Sequence, residues 1–378
     1  MNGLILTFVL LIAVLLIIAY KRHRLCHTPD GGDLEAALDS EVNRFIKKGH
    51  SYGVVVGVYK EGRSSVKGYG AIEQAGQVVP DALTVFQIGS LTKLFTASLL
   101  QRLCDEGLLS MDSTLESLIG ETIPLSPAAQ QVTLRQLVTH TSGFPRVPKP
   151  LMQKTIAVTG KAGLMDNPYS HLAPEDIFDY LKTTVDKREP GRFRYSNFGM
   201  GLLAHVLEIV TKQSFEELVS EKVLAPLDMK STSVTLTPAM VRHLAQGYTA
   251  KGVPSQLWTF SILAGAGAFS SNVDDMMKFV RANIEQGSHI SETLIKMQAP
   301  QFKGTTGIGW MQATFVDRFF GNRGVVCHNG MVGGYTAYMA INSQDKYGIV
   351  VLSNKSVDVT MLGIELVRQV RSQSWAAC

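Results

Sequence analysis

Ser90 and Lys93, in the run Phe86-Gln-Ile-Gly-Ser-Leu-Thr-Lys-Leu-Phe-Thr-Ala97, set a hydroxyl and an amine three positions apart. On a helix these positions share a face, so the amine can take the hydroxyl proton and free the oxygen to attack an acyl carbon. Spacing alone does not select this pair, because Ser64 with Lys67 and Ser343 with Lys346 repeat it. Ser64 and Lys67 follow Glu61-Gly62-Arg63, a hairpin turn between two strand-like runs, and Ser343 and Lys346 fall in the polar segment Asn342-Ser-Gln-Asp-Lys346. Both read as turn residues. After Ser90, by contrast, Leu91, Phe95, Leu99 and Leu103 recur every fourth residue, which predicts a helix with one buried face.

Two further segments offer partners. Glu189-Pro-Gly-Arg-Phe-Arg-Tyr195-Ser-Asn197 precedes Leu202, Leu203, Val206, Leu207 and Val210 at helical spacing, so a turn presents Tyr195 and Asn197 ahead of a buried helix. A phenol near an amine can relay protons, and an asparagine amide can hold both the lysine and an acyl carbonyl; the same residues also fit a core tyrosine and a helix-capping asparagine. Near the end, residues 325–341 read as one strand, joined by a polar turn to a second over residues 347–352. His328-Asn329-Gly330 would start the first of these and edge a cleft, with the glycine permitting close approach of substrate to backbone, although a histidine there also fits a plain surface position.

Ser90-Leu-Thr-Lys93, Tyr195-Ser-Asn197 and His328-Asn-Gly330 together resemble the motifs of the serine β-lactamase and penicillin-binding-protein superfamily, and within it the class C β-lactamase-related branch. The likeness extends to Leu137-Val-Thr-His-Thr-Ser-Gly-Phe144, Pro226-Leu-Asp-Met-Lys-Ser-Thr232, Gly307-Ile-Gly-Trp310 and the final hairpin, and covers residues 34–370. It implies an α/β (α+β) fold in which an antiparallel sheet flanked by helices meets a mainly helical lobe, with the cleft between them. In a catalytic domain over residues 33–375, the sheet lobe would take residues 33–89 and 300–375 and the helical lobe residues 90–299. The resemblance also implies roles: Ser90 as nucleophile, Lys93 as proton acceptor, Tyr195 as proton relay, and the Ser90 and Met331 amides as oxyanion donors, with Asn197, His328, Asn329 and Gly330 facing substrate. No metal or organic cofactor is needed. His328 stands where true β-lactamases carry lysine, which weakens the fixed charge for a β-lactam carboxylate. The sequence therefore points to esterase, D-amino-acid peptidase and mitochondrial lactamase-like relatives, acting on small esters or peptide-like amides. A D-alanyl-D-alanine carboxypeptidase, a true β-lactamase and a catalytically silent scaffold are the alternatives.

The rest of the chain sets limits. It has 378 residues, 45% hydrophobic and 18% charged, and a net charge of +4 to which Lys21, Arg22 and Arg24 contribute three units, which does not suit nucleic-acid binding. Residues 3–20 are apolar and uncharged, long enough to cross a bilayer once, and Lys21-Arg-His-Arg24 follows. Residues 1–32 therefore read as a single-pass anchor and linker rather than a cleaved signal peptide. The basic cluster places the body on the cytoplasmic side, whereas the family is mostly exported, so the side of the membrane stays open. Cys26, Cys104, Cys327 and Cys378 lack metal-ligand spacing and read as structural thiols. His140 is expected to order its turn, Arg192 and Arg194 to be solvated charges, and Asn354-Lys-Ser356 to be a glycosylation sequon in form only.

Overall fold

The computed structural model describes residues 32–183, 191–302, 305–313 and 323–375. The expected anchor, Cys26 and Cys378 lie outside them. Among the described residues, no helix is long and apolar enough to cross a membrane.

Helix α1 (Leu34–Lys47), whose N-cap Asp33 accepts from the Glu35 amide, leads into β1 (Gly53–Lys60). The β1 sequence Gly-Val-Val-Val-Gly-Val-Tyr-Lys is apolar on both sides of the pleat and demands cover on both faces, and the strand is buried throughout. Antiparallel pairing with β2 (Arg63–Gly70) follows through a two-residue turn with Glu61 and Gly62 both at positive φ. Helices α2 (Thr92–Asp105), α3 (Asn197–Thr211) and α4 (Val273–Ala282) come next. Strands β3 (Met311–Gln312), β4 (Val326–Val332), β5 (Tyr335–Asn342) and β6 (Tyr347–Ser353) then complete a six-stranded sheet of order β2-β1-β6-β5-β4-β3, and α5 (Thr360–Ser372) ends the body.

Alternate residues of the central strands feed two cores. Val54, Val56, Val58 and Ile349 pack against Leu34 and Leu38 of α1 and Leu366 of α5. Val55, Tyr59, Met339 and Val350 face the larger core that contains α2, α3 and α4. Gly57 makes room for α4: a Cβ there would stand 2.6 Å from Met277 Sδ and 2.7 Å from Val273 Cγ1.

The structure revises several local expectations. The run 325–341 is two strands, because Gly333 (φ +31°) and Gly334 turn the chain between β4 and β5, and Gly334 lies where a Cβ would strike the backbone of Gly247. Ser64 and Lys67 lie on β2, not in the turn, with Lys67 Nζ 2.7 Å from Asp39. Ser343 and Lys346 do occupy the β5–β6 turn. Helix α2 is buried on nearly every side rather than on one face, polar Thr96, Ser98 and Gln101 included. Its hydroxyls are satisfied locally, Ser98 Oγ donating to Leu94 O and Thr96 Oγ1 to Gly265 O. Asn354 is fully buried and accepts from the Gly53 amide at 2.7 Å, so the sequon has no accessible acceptor.

Candidate active site

Gly89–Leu91 forms a 3-10 turn that runs directly into α2. Gly89 takes φ +52°, and a Cβ on it would lie 2.7 Å from Met331 N; a Cβ on Gly330 would lie 2.0 Å from Ile88 O and 3.1 Å from Ser90 N. Two glycines thus let β4 press its backbone against the serine turn, bringing the Ser90 and Met331 amides to the same spot. First-turn amides have no intrahelical partner, so the Ser90 N–H is available to a ligand oxygen.

Lys93 is fully buried, and its Nζ donates to Ser90 Oγ at 3.0 Å and to Ala266 O at 2.5 Å. The loop bearing Ala266 is clamped to the helices, since Thr96 holds the Gly265 carbonyl and a Cβ on Gly265 would strike Ala204 of α3. Burial holds the Lys93 ammonium well below its ordinary range, and the positive charge of Arg146 pushes it the same way. Among the described residues no carboxylate pairs with it. Both influences act toward the neutral amine.

Tyr195 stands beside Ser90, close enough for the serine to influence its phenol. Lys93 Nζ lies 5.1 Å from its ring centroid and Arg146 Cζ 5.4 Å. Burial raises its phenol to about 12, against the opposing influences of the Ser90 contact and Arg146. Its ring rests on buried His140 at 4.5 Å, and His140 Nδ1 accepts from the Ser196 amide, so this histidine supports the Tyr195 turn, a different turn from the one it was expected to order. Ser196, not Asn197, caps α3, its hydroxyl accepting from the Gly199 amide at 2.8 Å. Asn197 Nδ2 donates to Tyr169 Oη at 2.9 Å instead of meeting Lys93, and its Oδ1 is buried without a partner.

His328 is the third residue of β4 and is buried, so it neither starts the strand nor sits at the surface. Its ring lies 6.1 Å from that of Tyr195. Nδ1 meets the Asn329 carbonyl at 2.7 Å, and since a carbonyl only accepts, Nδ1 carries the proton. Nε2 is then a bare acceptor, buried with no partner. Burial lowers His328 to about 3, so it is neutral at physiological pH. Asn329 points away from the serine, its amide donating to Thr360 Oγ1, and the Met331 side chain is exposed.

Beside Ser90 opens a cavity of about 590 Å³. Tyr169, Trp258 and Phe260 form one wall, with Tyr169 stacked on Phe260 at 4.9 Å, and Met152 and Leu164 add apolar surface. Arg146 and Arg194 also line it, and Arg194 Nη1 donates to Gly143 O at 2.8 Å.

A Beta-lactamase family model matches residues 38–369. The chain belongs to the β-lactamase family. It thereby stands among serine hydrolases that act through an acyl-enzyme, within the wider β-lactamase and penicillin-binding-protein superfamily. Protein flp of Staphylococcus aureus strain MW2 is 24% identical over 331 residues, covering 85% of this chain and 63% of that protein. A human β-lactamase-like protein is 29% identical over 294 residues, covering 72% of this chain and 54% of its own length. The chain thus spans less than two thirds of these relatives. Among solved structures, a β-lactamase/D-alanine carboxypeptidase from Pseudomonas syringae superposes with a TM-score of 0.76 at 21% identity, covering 89% of this chain and 98% of that one, which shows the shared fold.

The structure brings Ser90, Lys93, Tyr195, Asn197, His328, Gly330 and the Met331 amide to one end of the cleft and leaves the Asn329 side chain out. Sequence reading missed Arg146, Tyr169, Trp258, Phe260 and the Ala266 carbonyl. Pro145-Arg146 directly follows the Thr-His-Thr-Ser-Gly-Phe144 loop that carries part of the family likeness, which is the one signal that pointed toward Arg146.

Proposed function

We propose that this β-lactamase-family protein is a membrane-anchored hydrolase of small esters or peptide-like amides, with Ser90 as the acylated residue. The observation that carries the reading is the fully buried Lys93 amine, 3.0 Å from Ser90 Oγ with no carboxylate to keep it charged. Neutral Lys93 takes the Ser90 proton as Oγ attacks the carbonyl carbon. Tyr195, protonated up to about 12, passes a proton to the leaving group and then assists water against the acyl-enzyme. The Ser90 and Met331 amides hold the oxyanion, a contribution worth on the order of 10²–10³ in turnover per donor.

His328 sets the substrate preference away from β-lactams. A neutral, buried imidazole gives a carboxylate no counter-charge at that motif. The apolar run at residues 3–20 followed by Lys21-Arg-His-Arg24 supports the anchor.

The test is labelling of the full-length protein by a fluorophosphonate, with Ser90→Ala as control, followed by turnover of nitrophenyl esters, D-alanyl-D-alanine peptides and a cephalosporin. Ser90-dependent labelling with ester or amide turnover exceeding cephalosporin turnover is expected. Labelling that survives Ser90→Ala, or efficient cephalosporin hydrolysis with esters ignored, would overturn the reading. Carbonate extraction of membranes tests the anchor: release of the full-length protein into the supernatant would remove it.

A further inference from the structure

The cavity beside Ser90 has an uneven chemistry. Most of its lining is apolar or aromatic, yet among the described residues that line it are two guanidinium groups and not one carboxylate. Arg194 is partly tied down through Gly143 O. Arg146 is different. It is exposed, lies over the face of Tyr195, and among the described residues no acidic side chain pairs with it. An exposed guanidinium at the edge of an apolar wall, with no acidic side chain upon it, is accessible to an anionic group entering the cleft.

His328 sharpens the point. With its Nδ1 proton committed to the Asn329 carbonyl and its ring buried, it offers the site no charge. If a substrate brings an anionic group into this cleft, the arginines are the cations lining the cavity to receive it.

We propose that the pocket selects acyl compounds combining an apolar body with one carboxylate, the apolar part lying against Tyr169, Trp258 and Phe260 and the carboxylate meeting Arg146 beside Tyr195. The planar guanidinium fork matches a carboxylate edge and can hold it through two parallel hydrogen bonds. Arg194 adds positive potential at the same wall. Arg146 is thus a specificity-determining residue that replaces, at a different place in the cleft, the charge lost at the third motif. This proposal rests on the hydrolase reading above.

The experiment compares matched ester pairs that differ only in the carboxylate. One pair carries it on the acyl side (mono-nitrophenyl adipate against nitrophenyl hexanoate). The other carries it on the leaving group (carboxyphenyl hexanoate against phenyl hexanoate). The readout is the ratio of kcat/KM within each pair, normalised to enzyme that reacts with a fluorophosphonate, so that misfolded variant protein does not count. Any general influence of Arg146 on Lys93 or Tyr195 cancels in the ratio. Wild-type protein is expected to favour the anionic member of one pair, and Arg146→Gln to lower that ratio by on the order of 10–100-fold, as loss of a hydrogen-bonded charge pair does. Arg146→Lys should fall between, because a point charge lacks the fork. Ser90-dependent turnover with ratios in both pairs unchanged to within about twofold by Arg146→Gln overturns this inference and leaves the hydrolase reading intact. No Ser90-dependent turnover of any of the four esters, from protein that also resists labelling, overturns both.

Discussion

Replacing Arg146 by glutamine removes a positive charge that lies near Lys93, the proposed proton acceptor, both cations standing close to the Tyr195 ring. Lys93 Nζ and Arg146 Cζ stand 5.1 and 5.4 Å from the centroid of Tyr195, hence no more than about 10 Å apart. At that separation like charges repel by about 0.4 kcal/mol at an effective dielectric constant of about 80 and about 1.6 kcal/mol at about 20. These correspond to about 0.3 and 1.2 pH units in the Lys93 equilibrium, and the exposure of Arg146 favours the lower end. The sign follows from the charge removed. Without Arg146, protonated Lys93 is less disfavoured, its depressed pKa rises, and a higher pH is needed to keep the amine neutral. The acidic limb of kcat/KM for a neutral ester should therefore move to higher pH by about 0.3–1.2 units at low ionic strength, less as salt screens the pair. Arg146→Lys should leave the limb near its wild-type position. The assay is nitrophenyl ester hydrolysis across the acidic range with a correction for nitrophenol ionisation. A limb that stays put or moves to lower pH in Arg146→Gln would refute Lys93 as the proton acceptor that shapes it.

Three other perturbations bear on separate parts of the site. Tyr195→Phe keeps the ring on His140 but removes the proton relay, and steady-state turnover should drop by about 10²–10⁴ without loss of the cooperative thermal transition; a change within about threefold would exclude that role. Gly330→Ala would force β4 off the serine turn, because the new Cβ would sit 2.0 Å from Ile88 O, and fluorophosphonate labelling should slow by at least about 10². His328 stays neutral in the folded state down to about 3, whereas the unfolded chain takes up its proton near 6.5, so stability present above 6.5 is lost as pH falls toward 3. Urea unfolding of His328→Asn should therefore show a shallower loss below pH 6.5 than wild type, by about 1.4 kcal/mol per pH unit, with His140 still contributing its own share.

What could be read from the sequence was what periodicity marks. Ser90 and Lys93 announce themselves because a helix follows, Tyr195 because α3 follows, and His328 because it falls within a strand-forming run. The two decoy pairs fail the same criterion: Ser64 and Lys67 are strand residues three positions apart, which puts their side chains on opposite faces of β2. The burial of α2 on all sides was hidden: a period of four shows the apolar stripe but not that Ser98 bonds the helix backbone and Thr96 the Gly265 carbonyl. The split at Gly333 was hidden too, since glycine inside an apolar run marks a bulge, a turn or a close contact without saying which. Arg146, Tyr169, Trp258, Phe260 and the Ala266 carbonyl come from loops, where placement depends on tertiary contacts and leaves no repeating pattern.

The glycine-to-glycine contact between the serine turn and β4 has a consequence for how the enzyme comes into being. Its two halves are separated by some 240 positions, and the intervening chain must build the helical layer before they can meet. Closing so long a loop makes assembly of the reactive centre a late, high-contact-order event. A nascent chain that already displays Ser90 and Lys93 on a formed helix still lacks one oxyanion amide, and the sheet lacks the strands that bury Val55 and Val350. Under the proposed mechanism, the oxyanion site is therefore completed only when β4 docks on the serine turn.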